Sequence, residues 1–257
     1  MTRVVVTGAG GGIGAALARR FAADGAKVVV SDIDPDAVAR VAAEIGGIAV
    51  PADAASEADT QRLIEVAFSE LGGIDLFCSN AGVLTAGDEN TPDGQWERDF
   101  GVNVMSHVYV TRALLPRWLD SETPKRLLIT VSAAGLLTLL GSATYSVTKH
   151  AALAYAEWLR ATYAHRGLIV QALCPQGVRT DMLTGGNARG SGSAALLANG
   201  ALEPAAVADL VAESLDGNEF LILPHPEVAD YYRLRAADPD RWLGGMNKLQ
   251  RGFEGAK

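Results

Sequence analysis

The stretch Val4-Val5-Val6-Thr7-Gly8-Ala9-Gly10-Gly11-Gly12-Ile13-Gly14 places the strongest constraint on how this chain folds. Its valine run is typical of a buried strand, its glycines form a turn, and apolar residues then recur at helical spacing over residues 15–21. A strand, a glycine-rich turn and a helix N-terminus in this order let backbone N–H groups approach a pyrophosphate. We therefore predict a phosphate-binding turn near the start of the chain.

Three glycines of this turn have separable roles. Gly8 can make the tight exit from the strand, Gly12 can let the backbone approach the phosphates, and Gly14 can let the helix pack against the sheet. The spacing Gly-x-x-x-Gly-x-Gly, preceded by Thr7, resembles the glycine motif of the short-chain dehydrogenase/reductase family. A flexible turn that binds no ligand is the alternative explanation of such a glycine cluster.

The composition bounds the class of protein. A length of 257 residues and a hydrophobic content of 49% predict a single domain over residues 1–257, with a core at 1–223 and a C-terminal extension at 224–257. The net charge of -8 argues against nucleic acid and anionic membrane surfaces as partners, because both attract positively charged proteins. The charge of an anionic ligand must therefore be met locally, by backbone N–H groups and a few side chains.

Cysteine usage and the first residues indicate the compartment. Cys78 and Cys174 lie in or at the end of apolar runs, so we expect buried free thiols in a reducing cytoplasm. The chain passes from Met1 into a strand without a basic leader, and nowhere do 18 apolar residues follow one another. These features predict a cytoplasmic protein.

The four histidines show no metal-ligand spacing, and we expect no metal site.

A second β run, Lys27–Ser31, ends at Asp32, where a carboxylate can accept hydrogen bonds from the adenosine ribose of a dinucleotide. Residues 31–36 add further acid and no base, which would repel the 2′-phosphate of NADP. The pattern therefore predicts NAD(H) as the cofactor. Asp32 and Asp34 also fit turn and helix-cap positions before Pro35, and the two roles are compatible.

Two asparagines extend the resemblance along the chain. Asn80-Ala81-Gly82 follows a predicted strand at residues 74–79, where small residues let the backbone lie near the cofactor ribose and Asn80 can link the central strands. Asn103 lies within a predicted helix over residues 96–119, where asparagine is mildly unfavourable. The resemblance implies a local backbone distortion at Asn103 that orders a water molecule beside the active site.

Three further residues match the family's catalytic set. A predicted strand at residues 126–131 delivers Ser132 to the edge of the sheet at which doubly wound folds bind ligands. Tyr145 and Lys149 follow on a helix, four residues apart and therefore on one face. The resemblance implies that Tyr145 is the catalytic acid or base, that Lys149 lowers its pKa and binds the nicotinamide ribose, and that Ser132 holds the substrate oxygen. Asn103 completes this catalytic set.

The turn Pro175-Gln176-Gly177-Val178-Arg179-Thr180 is similar to the family's Pro-Gly-x-Val-x-Thr turn, with Gln176 where glycine is usual. The backbone there must accept a non-glycine residue, and Gln176 can make a polar contact in the site. Thr180 matches a hydroxyl that meets the nicotinamide carboxamide.

Asp53 matches an acid beside the adenine, with a solvated loop carboxylate as the alternative. The residues assigned to cofactor binding are Gly8, Gly11, Gly12, Ile13, Gly14, Asp32, Asp53, Ala54, Asn80, Ala81, Gly82, Tyr145, Lys149, Pro175, Val178 and Thr180.

Residues 181–200 are rich in glycine, alanine, serine and asparagine, which favours a mobile lid over the substrate more than a plain surface loop. A helix from Glu203-Pro204 and a last strand at residues 219–223 follow. Beyond Pro224 we expect two helices, at residues 227–236 and 239–251. Their apolar residues can cover the substrate mouth or a subunit interface: Tyr231, Tyr232, Leu234, Trp242, Leu243 and Met246.

The motifs, in this order, imply an α/β fold with a doubly wound, Rossmann-type and mostly parallel sheet of about seven strands, with helices on both faces. The implied function is NAD(H)-dependent interconversion of a secondary alcohol and a ketone by a homo-oligomer, most simply a tetramer. An apolar small-molecule substrate is indicated by Leu136, Leu137, Leu139, Leu140 and Leu183.

Three alternatives remain at this point. A catalytically silent, nucleotide-responsive regulatory protein of the same fold would have an incomplete catalytic set. A purely structural subunit would have no use for the glycine turn. A sugar-nucleotide epimerase or dehydratase would carry a larger C-terminal domain and a different glycine spacing.

Overall fold

The computed structural model describes residues 2–119, 121–184 and 200–255, and within these ranges seven parallel strands form one sheet. The strand order is β3-β2-β1-β4-β5-β6-β7. Because the order reverses between β1 and β4, the carboxyl ends of these two strands mark the point at which doubly wound sheets bind ligands. The predicted fold class is confirmed. The strands are β1 (Arg3–Thr7), β2 (Lys27–Ser31), β3 (Ile48–Ala49), β4 (Leu76–Ser79), β5 (Lys125–Thr130), β6 (Leu168–Leu173) and β7 (Leu221–Ile222).

Helices cover both faces of the sheet and divide the interior into two cores. In β1, Val5 faces one core, and Val4 and Val6 face the other, as the alternation of a strand requires. The helices are α1 (Gly12–Ala23), α2 (Pro35–Ile45), α3 (Glu57–Leu71), α4 (Asp93–Phe100), α5 (Ser106–Trp118), α6 (Ala133–Leu136), α7 (Ala143–Tyr163), α8 (Asp181–Thr184), α9 (Pro204–Ser214), α10 (Glu227–Ala237) and α11 (Pro239–Gly255). The core of Val5 includes residues of α3, α5 and α7, and the other core includes residues of α1, α2 and α9.

Local sequence sets the helix ends. The Asp34 carboxylate accepts hydrogen bonds from the N–H groups of Asp36 and Ala37, and Pro35 occupies the first turn of α2. The Ser56 hydroxyl caps α3 in the same way. Gly46 ends α2 in the left-handed region, at a φ of 64°, which a residue without a Cβ adopts without strain.

The structure corrects several predicted boundaries. The last strand, predicted at residues 219–223, is shortened to β7, because it lies at a sheet edge and pairs on one side only. The long helix predicted over residues 96–119 begins earlier, at Asp93, and a π-helical turn, Gly101–Met105, separates α4 from α5. The last helix, α11, continues to Gly255.

The two cysteines are buried free thiols, as predicted. Burial raises the pKa of Cys174 to about 12, so the thiol is protonated at neutral pH. No helix among the described residues is long and apolar enough to cross a membrane.

The C-terminal extension docks on the core through α10. Val228 is fully buried, and Tyr232 and Trp242 pack against the core of Val5. The Arg235 guanidinium donates a hydrogen bond to the Leu136 carbonyl oxygen. These contacts attach the extension to the segment that follows β5.

An ionic cluster joins three strands at the edge opposite to the glycine turn. Asp75, just before β4, accepts hydrogen bonds from Arg3 Nε at 2.8 Å and Arg3 Nη2 at 2.6 Å. Lys125 Nζ, at the start of β5, lies 2.9 Å from the same carboxylate. The Arg3 hydrogen bond is the main cause that holds the pKa of Asp75 well below its usual range.

We expect Asp75→Asn to lower the free energy of unfolding at pH 7 by about 1–3 kcal/mol, because it removes the charged partner of the largely buried Lys125. A carboxylate with a lowered pKa stabilises the folded state above its unfolded-state pKa of about 3.9. The difference between the two proteins should therefore be constant above about pH 5 and shrink as the pH falls below about 4. Urea unfolding across this range measures it.

Asp209→Asn is the matched control. Asp209 also pairs with an arginine, Arg20 at 2.6 Å, but its side chain is 59% exposed. Because exposed ion pairs contribute little, we expect a loss below about 1 kcal/mol. Equal losses for the two variants would show that Asp75 contributes no more than a surface carboxylate.

Candidate active site

The glycine turn between β1 and α1 is a cradle that only glycine can form. A Cβ on Gly14 would lie 2.1 Å from the Gly8 carbonyl oxygen, and a Cβ on Gly8 would lie 2.8 Å from Ala81 Cα. Gly8 and Gly12 have φ angles of 64° and 53°, in the left-handed region. The roles predicted for Gly8 and Gly14, the tight exit and the close packing, therefore match the geometry.

Asn80 links the three central strands at this edge. Its Nδ2 donates to the Thr7 carbonyl oxygen at 3.0 Å, and its Oδ1 accepts from Thr130 Oγ1 at 2.9 Å. Thr7 Oγ1 in turn accepts from the N–H groups of Asn80 and Ala81, at 3.0 and 3.2 Å. The ends of β1, β4 and β5 are thus held together by one amide, as the sequence predicts.

Asn103 is fully buried in the π-helical turn Gly101–Met105. Its Oδ1 accepts from the Val83 N–H and its Nδ2 donates to the Val83 carbonyl, both at 2.9 Å. Nδ2 also lies 3.1 Å from Thr148 Oγ1. The backbone distortion that the resemblance implied is therefore this π-helical turn, which joins the segment after β4 to α7.

Ser132, Tyr145 and Lys149 are buried beside one another. Lys149 Nζ donates to the Thr130 carbonyl oxygen at 3.0 Å and lies 5.5 Å from the centroid of the Tyr145 ring. Ser132 lies two residues beyond the end of β5, and its hydroxyl hydrogen-bonds Tyr145. Among the described residues other than glycine, Ser132 alone has a positive φ, 153°. Such backbone strain is concentrated at functional sites.

Burial shifts the pKa values of the pair in opposite directions. It raises the pKa of Tyr145, and the hydrogen bond from Ser132 offsets part of this rise. It lowers the pKa of Lys149 to about 8. The lowering of the Tyr145 pKa that the resemblance implies for Lys149 is not found, because burial of the phenol raises this pKa.

Two cavities meet at the end of β1. A cavity of about 340 Å³ is lined by Gly8, Gly11, Gly12, Ile13, Gly14, Asp32, Asn80, Ala81, Gly82, Ser132, Tyr145, Lys149, Pro175, Val178 and Thr180, among others. The second, of about 350 Å³, is lined by Asp53 and Ala54 and shares Gly8, Asp32, Ala81 and Gly82 with the first. Every predicted cofactor-binding residue therefore lines one or both cavities. Asn103 lines neither and lies behind the wall.

Asp32 stands where the two cavities join. One carboxylate oxygen accepts from the Gly10 N–H at 2.9 Å and the other from the Asp34 N–H at 3.1 Å. Asp34 caps α2, whereas Asp32 lines both cavities. Arg98 of α4 also lines the second cavity, and sequence reasoning missed it because Arg98 belongs to none of the motifs.

Asp99 is a second residue that sequence reasoning missed. It is fully buried, and its carboxylate accepts from Thr85 Oγ1 at 2.9 Å and from Thr144 Oγ1 at 2.7 Å. Thr144 precedes Tyr145 in the first turn of α7, so Asp99 fixes the start of the helix that carries the tyrosine. The available signal was its position four residues before Asn103, on the same helix face.

The wall near Tyr145 is largely apolar. Leu84, Leu137, Leu139, Met182 and Leu183 line it. Leu136 and Leu140, which the sequence also assigned to the pocket, are not lining residues, and Leu136 packs in the core instead. None of the apolar residues named in the C-terminal extension lines either cavity. Most of the predicted lid, residues 185–199, lies outside the described residues.

The turn that carries Gln176 is held from two sides. The Gln176 N–H donates to His225 Nδ1 at 3.1 Å, and the Pro175 carbonyl accepts from the Ala133 N–H at 2.8 Å. Gln176 has no positive φ, so the turn accepts a non-glycine residue without strain. His225, for which the sequence indicated a packing or solvated role, is thus a buried hydrogen-bond acceptor.

His107 is also buried, and its Nδ1 lies 2.7 Å from Ser79 Oγ. Burial lowers its pKa to about 3, so the ring is neutral. In the part of the chain that the structure describes, no group of three or more histidine, cysteine or acidic residues is arranged to hold a metal ion.

Known proteins resemble this chain in sequence and in fold. A family model described as short chain dehydrogenase matches residues 2–189. The 1-deoxy-11-beta-hydroxypentalenate dehydrogenase of Streptomyces exfoliatus is 40% identical over 253 residues, which cover 93% of this chain and 87% of that protein. The structure of a short chain dehydrogenase/reductase from Burkholderia phymatum in complex with NAD superposes with a TM-score of 0.86, at 29% identity, and covers 93% of this chain and 94% of that chain. A short-chain dehydrogenase from Sphingobium yanoikuyae in complex with NADPH gives a TM-score of 0.77 at 26% identity, with 96% of each chain covered.

The family match extends over well more than half of the chain. It includes the glycine turn, Asn80, Asn103, Ser132 and the pair of Tyr145 and Lys149, and it ends before the C-terminal extension. The sheet order and the joined cavities agree with it. The chain therefore belongs to the short-chain dehydrogenase family.

Proposed function

We propose that the protein is an NAD(H)-dependent oxidoreductase that interconverts a secondary alcohol and a ketone on an apolar small molecule. The observation that carries this proposal is the joint burial of Ser132, Tyr145 and Lys149 on the wall of a cavity that also contains the glycine turn. A dehydrogenase needs a proton-transferring group beside its dinucleotide cradle, and this arrangement supplies both. The S. exfoliatus relative, which is named a dehydrogenase, supports the same reaction class.

The joined cavities fit a dinucleotide. Gly8, Gly12 and Gly14 carry no side chain that would keep phosphates away from the backbone, and the first turn of α1 contains no acidic residue. The positive end of the α1 dipole is therefore free to attract an anion. When bound, the dinucleotide supplies the carbon that takes up or gives up the hydride.

Tyr145 carries the proton in this proposal. Because burial raises its pKa, the phenol is protonated at neutral pH and can give its proton to the oxygen of a ketone. The reverse reaction requires the phenolate; in this proposal the positive charge of Lys149 lowers the cost of forming it, while burial keeps the Tyr145 pKa above its ordinary value. Ser132 holds the same substrate oxygen by a hydrogen bond, and the leucines of the wall exclude water from it.

We expect Tyr145→Phe to lower kcat at least about a hundredfold, because it removes the proton-transferring group, and to leave the affinity for NADH nearly unchanged. Lys149→Ala should lower kcat and also weaken NADH binding, since the ammonium group is assigned both to the phenol of Tyr145 and to the nicotinamide ribose. In the parent enzyme, kcat/KM for alcohol oxidation should rise with pH, because the acceptor is the phenolate. Steady-state kinetics and NADH titration test this. A Tyr145→Phe enzyme with near-parental kcat would mean that the proton moves through another group.

The preference for NAD(H) over NADP(H) rests on Asp32. Its carboxylate, fixed by two backbone N–H groups, stands where the cavities join and would repel a 2′-phosphate. The glycine turn and residues 31–36 contain no lysine or arginine to neutralise one. The B. phymatum relative in complex with NAD supports this choice, and the S. yanoikuyae relative in complex with NADPH marks the alternative.

We expect a higher kcat/KM with NAD(H) than with NADP(H), and we expect Asp32→Ala to reduce the ratio, because the variant removes the repulsion. Asp34→Ala is the control: it removes the α2 cap, which costs about 1 kcal/mol of stability, and it should change the cofactor ratio much less than Asp32→Ala, because Asp34 lines neither cavity. Kinetics with both cofactors decide the matter. A parental enzyme that prefers NADP(H) would refute the assignment.

We also propose a cytoplasmic homotetramer. The outer faces of α4 and α7 carry exposed large apolar side chains, Phe100, Val147 and Trp158, which a subunit contact would cover. Light scattering at micromolar concentration should return about four times the chain mass of 26.8 kDa. A mass equal to that of one chain would contradict the proposal.

A regulatory protein that binds a dinucleotide without turnover is the second candidate. It would have lost part of the catalytic set, whereas Asn103, Ser132, Tyr145 and Lys149 are all present and buried. This completeness favours the enzyme.

A further inference from the structure

One half-buried polar residue in the largely apolar wall of the first cavity has no role in the proposed chemistry. Leu84, Leu137 and Leu139 form part of this wall, and Gln176 lies in it. Two other polar lining residues, Thr138 and Asp181, are exposed and can be solvated. Within the described ranges, no residue hydrogen-bonds the side-chain amide of Gln176. A half-buried amide in a cavity wall has donor and acceptor capacity that a ligand can use.

The backbone around Gln176 is fixed in register with Ser132. The Pro175 carbonyl accepts from the Ala133 N–H at 2.8 Å and lies 3.4 Å from Ser132 Oγ. Gln176 therefore adjoins the peptide group that the serine touches. A substrate whose reacting oxygen meets Ser132 would have the rest of its frame within reach of this turn.

His225 fixes the same turn from the other side. Its Nδ1 accepts from the Gln176 N–H at 3.1 Å, which requires an unprotonated Nδ1, and burial favours the neutral ring by lowering the pKa of His225. The side chain is almost fully buried, with an exposed fraction of 6%. His225 comes from the segment between β7 and α10, so a residue remote in sequence holds the turn in place.

We propose that Gln176 is a specificity-determining residue that hydrogen-bonds a second oxygen of the substrate, and that His225 is the positioning residue that holds it. The proposal rests on the function proposed above and names the substrate class: an apolar secondary alcohol or ketone with a further hydroxyl or carbonyl group. A neutral group is favoured, because Lys149 is the only lysine or arginine that lines this cavity among the described residues.

The test compares cyclohexanol with 1,2-, 1,3- and 1,4-cyclohexanediol. A site built to hydrogen-bond a hydroxyl discriminates against an analogue that lacks it. We expect the parental enzyme to prefer at least one diol in kcat/KM, and Gln176→Leu, which keeps the volume and removes the amide, to reduce the ratio of diol to cyclohexanol about tenfold. Thr138→Val is the control and should keep the parental ratio, because Thr138 is exposed to solvent.

Two variants of His225 test the positioning role. His225→Phe removes the acceptor, and we expect it to raise KM for the diol more than it lowers kcat. His225→Asn places an amide oxygen near the position of Nδ1 and should restore the parental ratio. Melting temperatures identify a variant that does not fold, and Gln176→Leu then carries the test alone.

The outcomes separate the two proposals. A parental enzyme that oxidises none of the four alcohols and reduces none of the corresponding ketones would overturn the proposed function, and this inference with it. An active parental enzyme with the same ratio of diol to cyclohexanol in Gln176→Leu would overturn the inference and leave the proposed function intact.

Discussion

The close approach of α1 to the end of β1 is the constraint on which the site depends. Gly14 lies so near the Gly8 carbonyl that no side chain fits between them, so the helix starts directly against the sheet edge. Asn80 and Thr130 hydrogen-bond along the same edge and hold β4 and β5 level with β1. The phosphate cradle and the serine that follows β5 are therefore parts of one rigid edge, and neither can shift without the other.

Burial, more than any ion pair, sets the chemistry of this edge. It disfavours the charged forms of both Tyr145 and Lys149, and it brings the pKa of the lysine to about 8. Lys149 donates a hydrogen bond to a backbone carbonyl, and no carboxylate among the described residues pairs with it, which leaves the ammonium group available to a partner that enters the cavity. A low local dielectric strengthens every such hydrogen bond.

Local signals made much of this architecture predictable. Valine runs, turn glycines and the Asp34-Pro35 helix start act over a few residues, and the order of the motifs then brings Ser132, Tyr145 and Lys149 together. Contacts between distant segments were not predictable in the same way. Asp99 meets Thr85 and Thr144 only in the folded chain, and His225 meets Gln176 across 49 positions. The prediction that the Tyr145 pKa is lowered was wrong, because the direction of this shift depends on how deeply the phenol is buried, which no short motif encodes.

The alternation of β1 has a consequence for how the protein tolerates change. Val5 contributes to the core that includes the catalytic helix α7, whereas Val4 and Val6 contribute to the core beneath the glycine-turn helix α1. The sheet separates the two, and the energetic effects of mutations more than about 7–10 Å apart without shared partners usually add within about 0.5 kcal/mol. Selection can therefore repack one core while the other stays unchanged, so the two faces of the sheet can diverge in sequence independently of each other.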